Sequence, residues 1–152
     1  MRAIEPWVTE PLQRFLDESQ ARVVLVMTSS GQVVAQHGFS RSLDVMAASA
    51  LGAGIMASTE AMANLLESPN FGTLVHEGTT QSLILTAVDT PRGRWLGLVV
   101  FGRETTVGLV QLFWHALARE LVATMPAEPG TVKKAETFER DLDASLRSLF
   151  GR

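Results

Sequence analysis

The stretch from Phe71 to Leu112 constrains the fold most, because it holds three β-type segments in succession before an apolar helix. Only short polar breaks divide the segments, so neighbouring strands are expected to pair antiparallel as a meander. The predicted strands are Phe71–His76, Ser82–Val88 and Trp95–Phe101. A short meander leaves one strand edge open, and an open edge in a small protein needs a cover or a partner. The pattern therefore indicates association with another protein rather than catalysis.

The segments around the meander complete the predicted order of elements. A hairpin is expected where a β-branched run meets the turn Ser29-Ser30-Gly31, because Gly31 is free to adopt a positive φ. The first helix is expected to begin at a capping Thr9, with Pro11 in its first turn. The predicted elements are helix Thr9–Ser19, strands Arg22–Thr28 and Gln32–His37, and helices Leu43–Glu67 and Thr105–Thr124. The order αββαβββα predicts an α/β (α+β) fold, with a five-stranded antiparallel sheet that carries helices on both faces.

The C-terminal region is expected to lie outside this domain. We predict a domain over residues 1–125, a Pro- and Gly-containing linker over 126–134 and an amphipathic helix over 135–152. The apolar stripe of that helix comprises Phe138, Leu142, Leu146, Leu149 and Phe150. A tethered helix with a narrow stripe favours docking on another protein, and folding back on its own domain is the alternative.

Composition excludes several classes of function. The chain has 152 residues and a formal net charge of -3, which suits one globular domain and offers no basic patch for nucleic acid. It has no cysteine, so disulfides and thiolate metal sites are excluded, as is common in a reducing cytoplasm. The N-terminal residues lack an apolar run of signal-peptide length. The run Val45–Thr59 is judged too short and too rich in small residues to span a bilayer, so we expect a cytoplasmic protein without a membrane span.

Residues with catalytic chemistry do not converge in the sequence. The lysines Lys133 and Lys134 are followed by alanine, so the Gly-Lys-Ser/Thr end of a phosphate-binding loop is absent. The histidines His37, His76 and His115 lack the spacing of metal ligands. We therefore expect no active site, no metal and no cofactor.

The helix predicted from Leu43 to Glu67 is apolar nearly all round, which is typical of burial on more than one side. A stripe of large side chains, with Ser58 among them, is expected to cover the sheet: Leu51, Ile55, Met62 and Leu65. Beside it runs a stripe of small residues, named here the small stripe: Ala47, Ala50, Gly54, Ala57 and Ala61. Glycine inside a helix costs about 1 kcal/mol, which favours a specific use for the close approach it permits. We predict that a twin helix or a partner protein packs there, and core packing in a monomer is the alternative.

These elements resemble a known family in their order and in several short motifs. The matching segments are the hairpin Val23–Gln36, the small-residue helix Ala47–Leu66, His76-Glu77-Gly78 after Phe71, the strand Ser82–Val88 and Leu98–Phe101 running into Thr105–Leu112. Together they resemble the roadblock (dynein light chain) family, and within it the MglB-like bacterial regulators of a Ras-like GTPase. The end of the chain, Leu146 to Phe150, is also similar to the tails of these regulators.

The resemblance implies a roadblock/profilin-like fold and a homodimer in which third strands and second helices pair across a twofold axis. The dimer contacts it implies are Gly52, Met56, Phe71, Thr73 and Val75. It also implies that the small stripe helps to receive an MglA-like GTPase, through Ala50, Gly54, Ala57 and Ala61. The tail residues implied in GTPase binding are Leu142, Leu146, Leu149 and Phe150.

The function implied is that of a homodimeric activator of GTP hydrolysis in bacterial cell polarity or motility. Activators of Ras-like GTPases often insert an arginine, and loop or strand-end arginines are present here: Arg41, Arg92, Arg94 and Arg103. We interpret them as surface charge, since activators of the MglB type are understood to reshape the switch regions of the GTPase. Two alternatives stay open: a GTPase-binding adaptor that leaves turnover unchanged, and a small-molecule sensor, for which the sequence lacks converging polar residues.

Overall fold

The computed structural model describes residues 6–38, 44–68, 72–126, 140, 142 and 144–149. The elements are α1 Pro6–Ser19, β1 Val23–Thr28, β2 Val33–Gly38, α2 Val45–Leu65, β3 Thr73–Glu77, β4 Ser82–Thr90, β5 Gly93–Phe101 and α3 Val107–Thr124. Residues 140, 142 and 144–149 are also helical. The predicted order, αββαβββα with a helix after it, is confirmed.

The strands form one five-stranded antiparallel sheet in the order β2-β1-β5-β4-β3. The predicted meander β3–β4–β5 is confirmed, and its first strand lies at an edge of the sheet. β3 pairs with β4 alone, in a register that places Val75 opposite Ile84. The other side of β3 therefore presents backbone groups that no strand in the described part of this chain pairs.

Helices α1 and α3 cover one face of the sheet and form the larger part of the core with it. The Trp114 indole packs edge-on against Phe15, with ring centroids 6.1 Å apart, and it lies directly on β5 at Gly97. A Cβ at Gly97 would lie 2.5 Å from Cζ2 and 2.8 Å from Cζ3 of Trp114, so this position requires glycine. Trp95 is also buried, so Trp95 and Trp114 both lie in the core.

Helix α2 covers the opposite face through a second, smaller cluster. Met56 packs there on apolar side chains that rise from the sheet: Leu25, Met27, Leu85, Leu96 and Leu98. Gly52 lies so close to the sheet that an added Cβ would be 3.5 Å from Leu85 Cδ1 and 3.6 Å from Met27 Cε. The sheet supplies most of the bulk in this layer, so the helix contributes small residues and one methionine.

The start of α1 and the turn between β4 and β5 differ from the sequence-based predictions. α1 begins at Pro6, so Thr9 lies inside the helix and does not cap it, because a proline with fixed φ already starts the first turn. The expected break from Asp89 to Arg94 is also wrong: β4 and β5 pair as far as Thr90 and Gly93. Gly93 has a φ of 108°, which allows the two-residue turn to close.

Within the described residues, ion pairs at the surface join segments that are distant in the sequence. Arg14 Nη1 of α1 lies 2.8 Å from Glu120 Oε1 of α3. Arg22 Nε, which precedes β1, lies 2.8 Å from Glu104 Oε1 in the segment between β5 and α3. The hydrogen bond from Arg22 lowers the pKa of the Glu104 carboxyl, and the same bond raises the pKa of the Arg22 guanidinium.

Candidate protein-interaction site

The large apolar side chains of α2 point away from the sheet, contrary to the sequence-based expectation. Leu51 is 67% exposed and Met62 51% exposed, and Ile55 and Leu65 are exposed with them. The residues that face the sheet are Ser49, Gly52, Met56 and Ala63. Periodicity predicted the helix correctly but gave the wrong rotation about its axis, because the helix is apolar on nearly every side.

The sheet-facing position of Gly52 and Met56 also corrects the expected dimer contacts. Met56 is 2% exposed and Gly52 is buried against Leu85 and Met27. Side chains that the protomer itself buries cannot form the surface of a contact between copies. Gly52 and Met56 pack α2 against the sheet, whereas the large side chains Leu51, Ile55 and Met62 point to the outside of the protomer.

The small stripe is exposed along its whole length. Its members are Ala47, Ala50, Gly54, Ala57 and Ala61, and an added Cβ at Gly54 would meet nothing within 4 Å. No described side chain of this protomer covers these residues. The surface is therefore shallow, apolar and open to the close approach of another backbone.

An open groove of about 770 Å³ runs between α2 and the edge strand β3. Its lining is mostly apolar and comprises Ala50, Leu51, Gly54, Ile55, Ser58, Thr59, Met62, Leu74 and His76. Leu74 and His76 are two residues apart on β3, so their side chains lie on the same face of the sheet. This is the face that α2 covers, because Leu74 packs against the smaller core cluster. The groove joins the exposed large side chains of α2 to the open edge of the sheet. The sequence-based predictions placed none of Leu51, Ile55, Met62 or Leu74 on a binding surface. For Leu74, the period of two along β3 could have shown that it shares a face with the polar His76.

The expected dimer contacts on β3 lie at this edge. Val75 is exposed, whereas Thr73 is half-buried and shares a hydrogen bond with Thr86, with the two hydroxyl oxygens 3.1 Å apart. Phe71, the remaining expected contact, lies outside the described residues.

Three of the four expected tail contacts are described, and all three are exposed: Leu142, Leu146 and Leu149. They recur at helical spacing, as an apolar stripe requires. The fourth, Phe150, lies outside the described residues.

The described loop arginines have partners within the chain. Arg94 Nη1 lies 2.9 Å from Glu60 Oε1 of α2, and Arg92 Nη2 donates to the Pro126 carbonyl at 2.9 Å. The Arg92 guanidinium also lies 5.8 Å from the centre of the Trp7 ring. Arg103 Nη2 donates to the Thr79 carbonyl at 3.3 Å. Arg41 lies outside the described residues, and among those described no cluster of three or more His, Asp or Glu could hold a metal ion.

By length and composition alone, α2 is also the one helix in the described part of the chain that could cross a membrane. The sequence-based judgement considered only the run to Thr59, whereas the helix continues to Leu65. Burial of Gly52, Met56 and Ala63 against the sheet ties α2 to the domain.

Comparisons with known proteins agree with the observed fold. The model of the Roadblock/LC7 domain family matches residues 8–90. The fold is similar to that of Myxococcus xanthus MglB, with 27% identity, a TM-score of 0.71, and coverage of 78% of this chain and 94% of that one. It is also similar to the gliding protein MglB from Thermus thermophilus, with 26% identity, a TM-score of 0.69, and coverage of 76% and 86%.

A third similar structure is of MglB with a tetrameric arrangement, with 25% identity, a TM-score of 0.71, and coverage of 81% of this chain and 90% of that one. Acanthamoeba castellanii profilin Ib, at 13% identity and a TM-score of 0.54, shares the fold alone. No curated protein sequence matches the chain.

Proposed function

Because the chain belongs to the Roadblock/LC7 domain family, we propose that it is a homodimeric regulator of a small Ras-like GTPase. The regulation proposed is activation of GTP hydrolysis by a GTPase of the MglA type, in bacterial cell polarity or motility and in the cytoplasm. One of the similar structures is named a gliding protein, which supports motility as the setting. The observation that carries the proposal is that α2 exposes two different apolar surfaces, so two partners can bind it at once.

The first partner is a second copy of this chain. The large side chains of α2 and the edge strand β3 line one continuous groove. In the described part of a single protomer these side chains are exposed, and the outer edge of β3 pairs with no other strand. Two identical edge strands can pair antiparallel across a twofold axis, which supplies partners for their free backbone groups. Burial of a Leu or Met side chain contributes about 1.5–3 kcal/mol before ordering costs, so Leu51 and Met62 of two copies provide a substantial driving force.

The dimer is tested by mass and by a charge placed in the groove. Light scattering at low micromolar concentration should give twice the chain mass of 16.5 kDa. Leu51→Asp should dissociate the dimer, because it would bury an unpaired carboxylate. Leu112→Asp on α3 is the matched control, since Leu112 is 60% exposed on the opposite face of the sheet and should leave the dimer intact. A monomeric wild-type chain would refute this part of the proposal.

The second partner is the GTPase, which we place on the small stripe. Small residues let a partner backbone approach closely, and Ala57 and Ala61 lie on the side of α2 that does not line the groove. Ala50 and Gly54 border the groove as well, so they lie where the two surfaces meet. The exposed leucines of the tail, Leu142, Leu146 and Leu149, offer a second contact with the same partner.

Activation is proposed to act on the switch regions of the GTPase and not through an arginine supplied by this chain. Arg92, Arg94 and Arg103 each already hold a carbonyl or carboxylate of their own protomer. Releasing such an arginine into another active site would cost those contacts. No phosphate-binding loop is present in the sequence, so GTP itself binds to the partner.

The GTPase surface is tested with the double variant Ala57→Arg and Ala61→Arg. Two long charged side chains should block the partner by steric overlap and by burial of unpaired charge, while the dimer persists. The control is the same pair of changes at Ala116 and Ala123, which are exposed on α3. Binding and single-turnover GTP hydrolysis by an MglA-type GTPase are measured side by side. Binding without faster hydrolysis would identify an adaptor, and unchanged binding by the double variant would place the contact elsewhere.

A further inference from the structure

We infer that His76 makes self-association through the α2–β3 groove dependent on pH, with the dimer favoured above the titration range of histidine. This inference rests on the proposed homodimer and adds a regulatory property to it. His76 is exposed in the single protomer and is one of the residues that line the groove. A second copy in the groove would remove this imidazole from water.

The described lining of the groove contains no carboxylate that could stabilise the charged form of His76. The polar residues that α2 contributes to the groove lining are Ser58 and Thr59, which are uncharged. On β4 the residue paired with His76 is Leu83. The charged group of α2 on the sheet side, Glu60, is bound to Arg94. Within the described lining of the groove, His76 is the titratable side chain.

Charged groups beyond the groove do not change this balance. Glu77 follows His76 in β3 and so points to the opposite face of the sheet. Arg103, which follows β5, donates to the Thr79 carbonyl in the turn between β3 and β4 and is a like charge for a protonated imidazole. Twofold symmetry brings a second His76 to the same interface, and a second like charge with it.

Burial in apolar surroundings disfavours the charged form of a histidine, so proton uptake accompanies dissociation. The sign follows directly: the dimer holds the neutral imidazole, and its stability is lost as pH falls through the histidine range. A dimer that takes up two protons on dissociation is therefore weaker at about pH 5.5 than at about pH 7.5, by up to about 100-fold for each pH unit over which both imidazoles become charged.

The test is sedimentation equilibrium of the full chain at those two pH values. The wild-type dissociation constant should rise at least about tenfold on acidification. His76→Gln should remove the difference, and His76→Leu should also remove it while keeping an apolar groove. His115→Gln, an exposed position on α3 across the sheet, should keep the wild-type pH dependence.

The outcomes separate this inference from the proposal on which it rests. A wild-type chain that is dimeric with the same dissociation constant at both pH values overturns the role of His76 and leaves the homodimer standing. Equal pH dependence in wild type and both His76 variants also overturns it. A wild-type monomer at about pH 7.5 overturns the homodimer, and the His76 inference falls with it.

Discussion

Replacement of Gly97 by alanine tests the packing of the larger core layer. Gly97 lies in β5, where it pairs with Val26 of β1 on one side and with Thr86 of β4 on the other. Trp114 lies directly above it and is 3% exposed. The new methyl group would fall within the van der Waals radii of the indole ring, so either the ring or the strand must move.

Both movements are resisted by the surrounding structure. The strand is held by ladders on both sides, and the indole is held by its contact with Phe15. Overpacking of a core usually costs about 1–3 kcal/mol, and the restraint here favours the upper end, about 3 kcal/mol. Alanine is favoured over glycine in a strand by up to about 1 kcal/mol, which opposes the clash. The net expectation is a loss of about 2 kcal/mol, or about 6 °C in melting temperature for a chain of this size.

The assay is urea denaturation of four proteins: wild type, Gly97→Ala, Trp114→Phe and the double variant. A phenylalanine ring reaches less far and would vacate the space that the methyl group needs. Gly97→Ala should therefore be close to neutral in the Trp114→Phe background, which gives a coupling free energy of about 2 kcal/mol. Gly108→Ala is the control, since an added Cβ there meets nothing within 4 Å. Equal destabilisation by Gly97→Ala in both backgrounds would refute the reasoning.

Three further predictions concern the tail, the surface charges and a helix cap. Truncation after residue 128 should leave the melting temperature within about 2 °C, because the described tail leucines are exposed, and should weaken regulation of the GTPase; a large drop would assign the tail to the core. The lowered pKa of the Glu104 carboxyl predicts that the ionised group stabilises the folded state above pH 4.5, its usual pKa, and that this stabilisation is lost as the pH falls further. Glu104→Gln should therefore flatten the acid limb of a melting-temperature profile, whereas an unchanged limb would show that the Arg22 pair contributes nothing. Asp44 Oδ1 accepts a hydrogen bond from the Ala47 N–H at 3.1 Å, so Asp44→Ala should cost about 1 kcal/mol in chemical denaturation, and a neutral result would exclude this cap as a stabilising contact.

The order of elements was predictable because local signals agreed with one another. The β-branched run before Ser29 predicted the first strand of a hairpin, and this strand, β1, pairs antiparallel with β2. Gly31 was expected at positive φ in the first hairpin turn and has a φ of 94°. Strand ends were less predictable, because Asp89 and Arg94 are polar enough for a loop and yet pair with each other across β4 and β5.

The candidate site could be predicted in kind but not in detail. An all-round apolar helix indicated two covered sides, and the small stripe is exposed as a partner surface requires. The rotation of α2 was not predictable, because it depends on the bulk of Met27 and Leu85, which come from other parts of the chain. Where large sheet residues fill the layer, the glycine side of the helix and not its leucine side fits against them.

The shallow seat of α2 also has a consequence for how this protein folds. Four of its 21 residues are buried, and they rest on a cluster that is small beside the α1, sheet and α3 layer. Elements with few buried contacts open locally at a lower free energy than the rest of a domain. In a lone protomer α2 would accordingly exchange its amide hydrogens well before the central strands, and pairing with a second copy would slow that exchange. Stable formation of α2 and assembly into a dimer would then occur together, as one cooperative step.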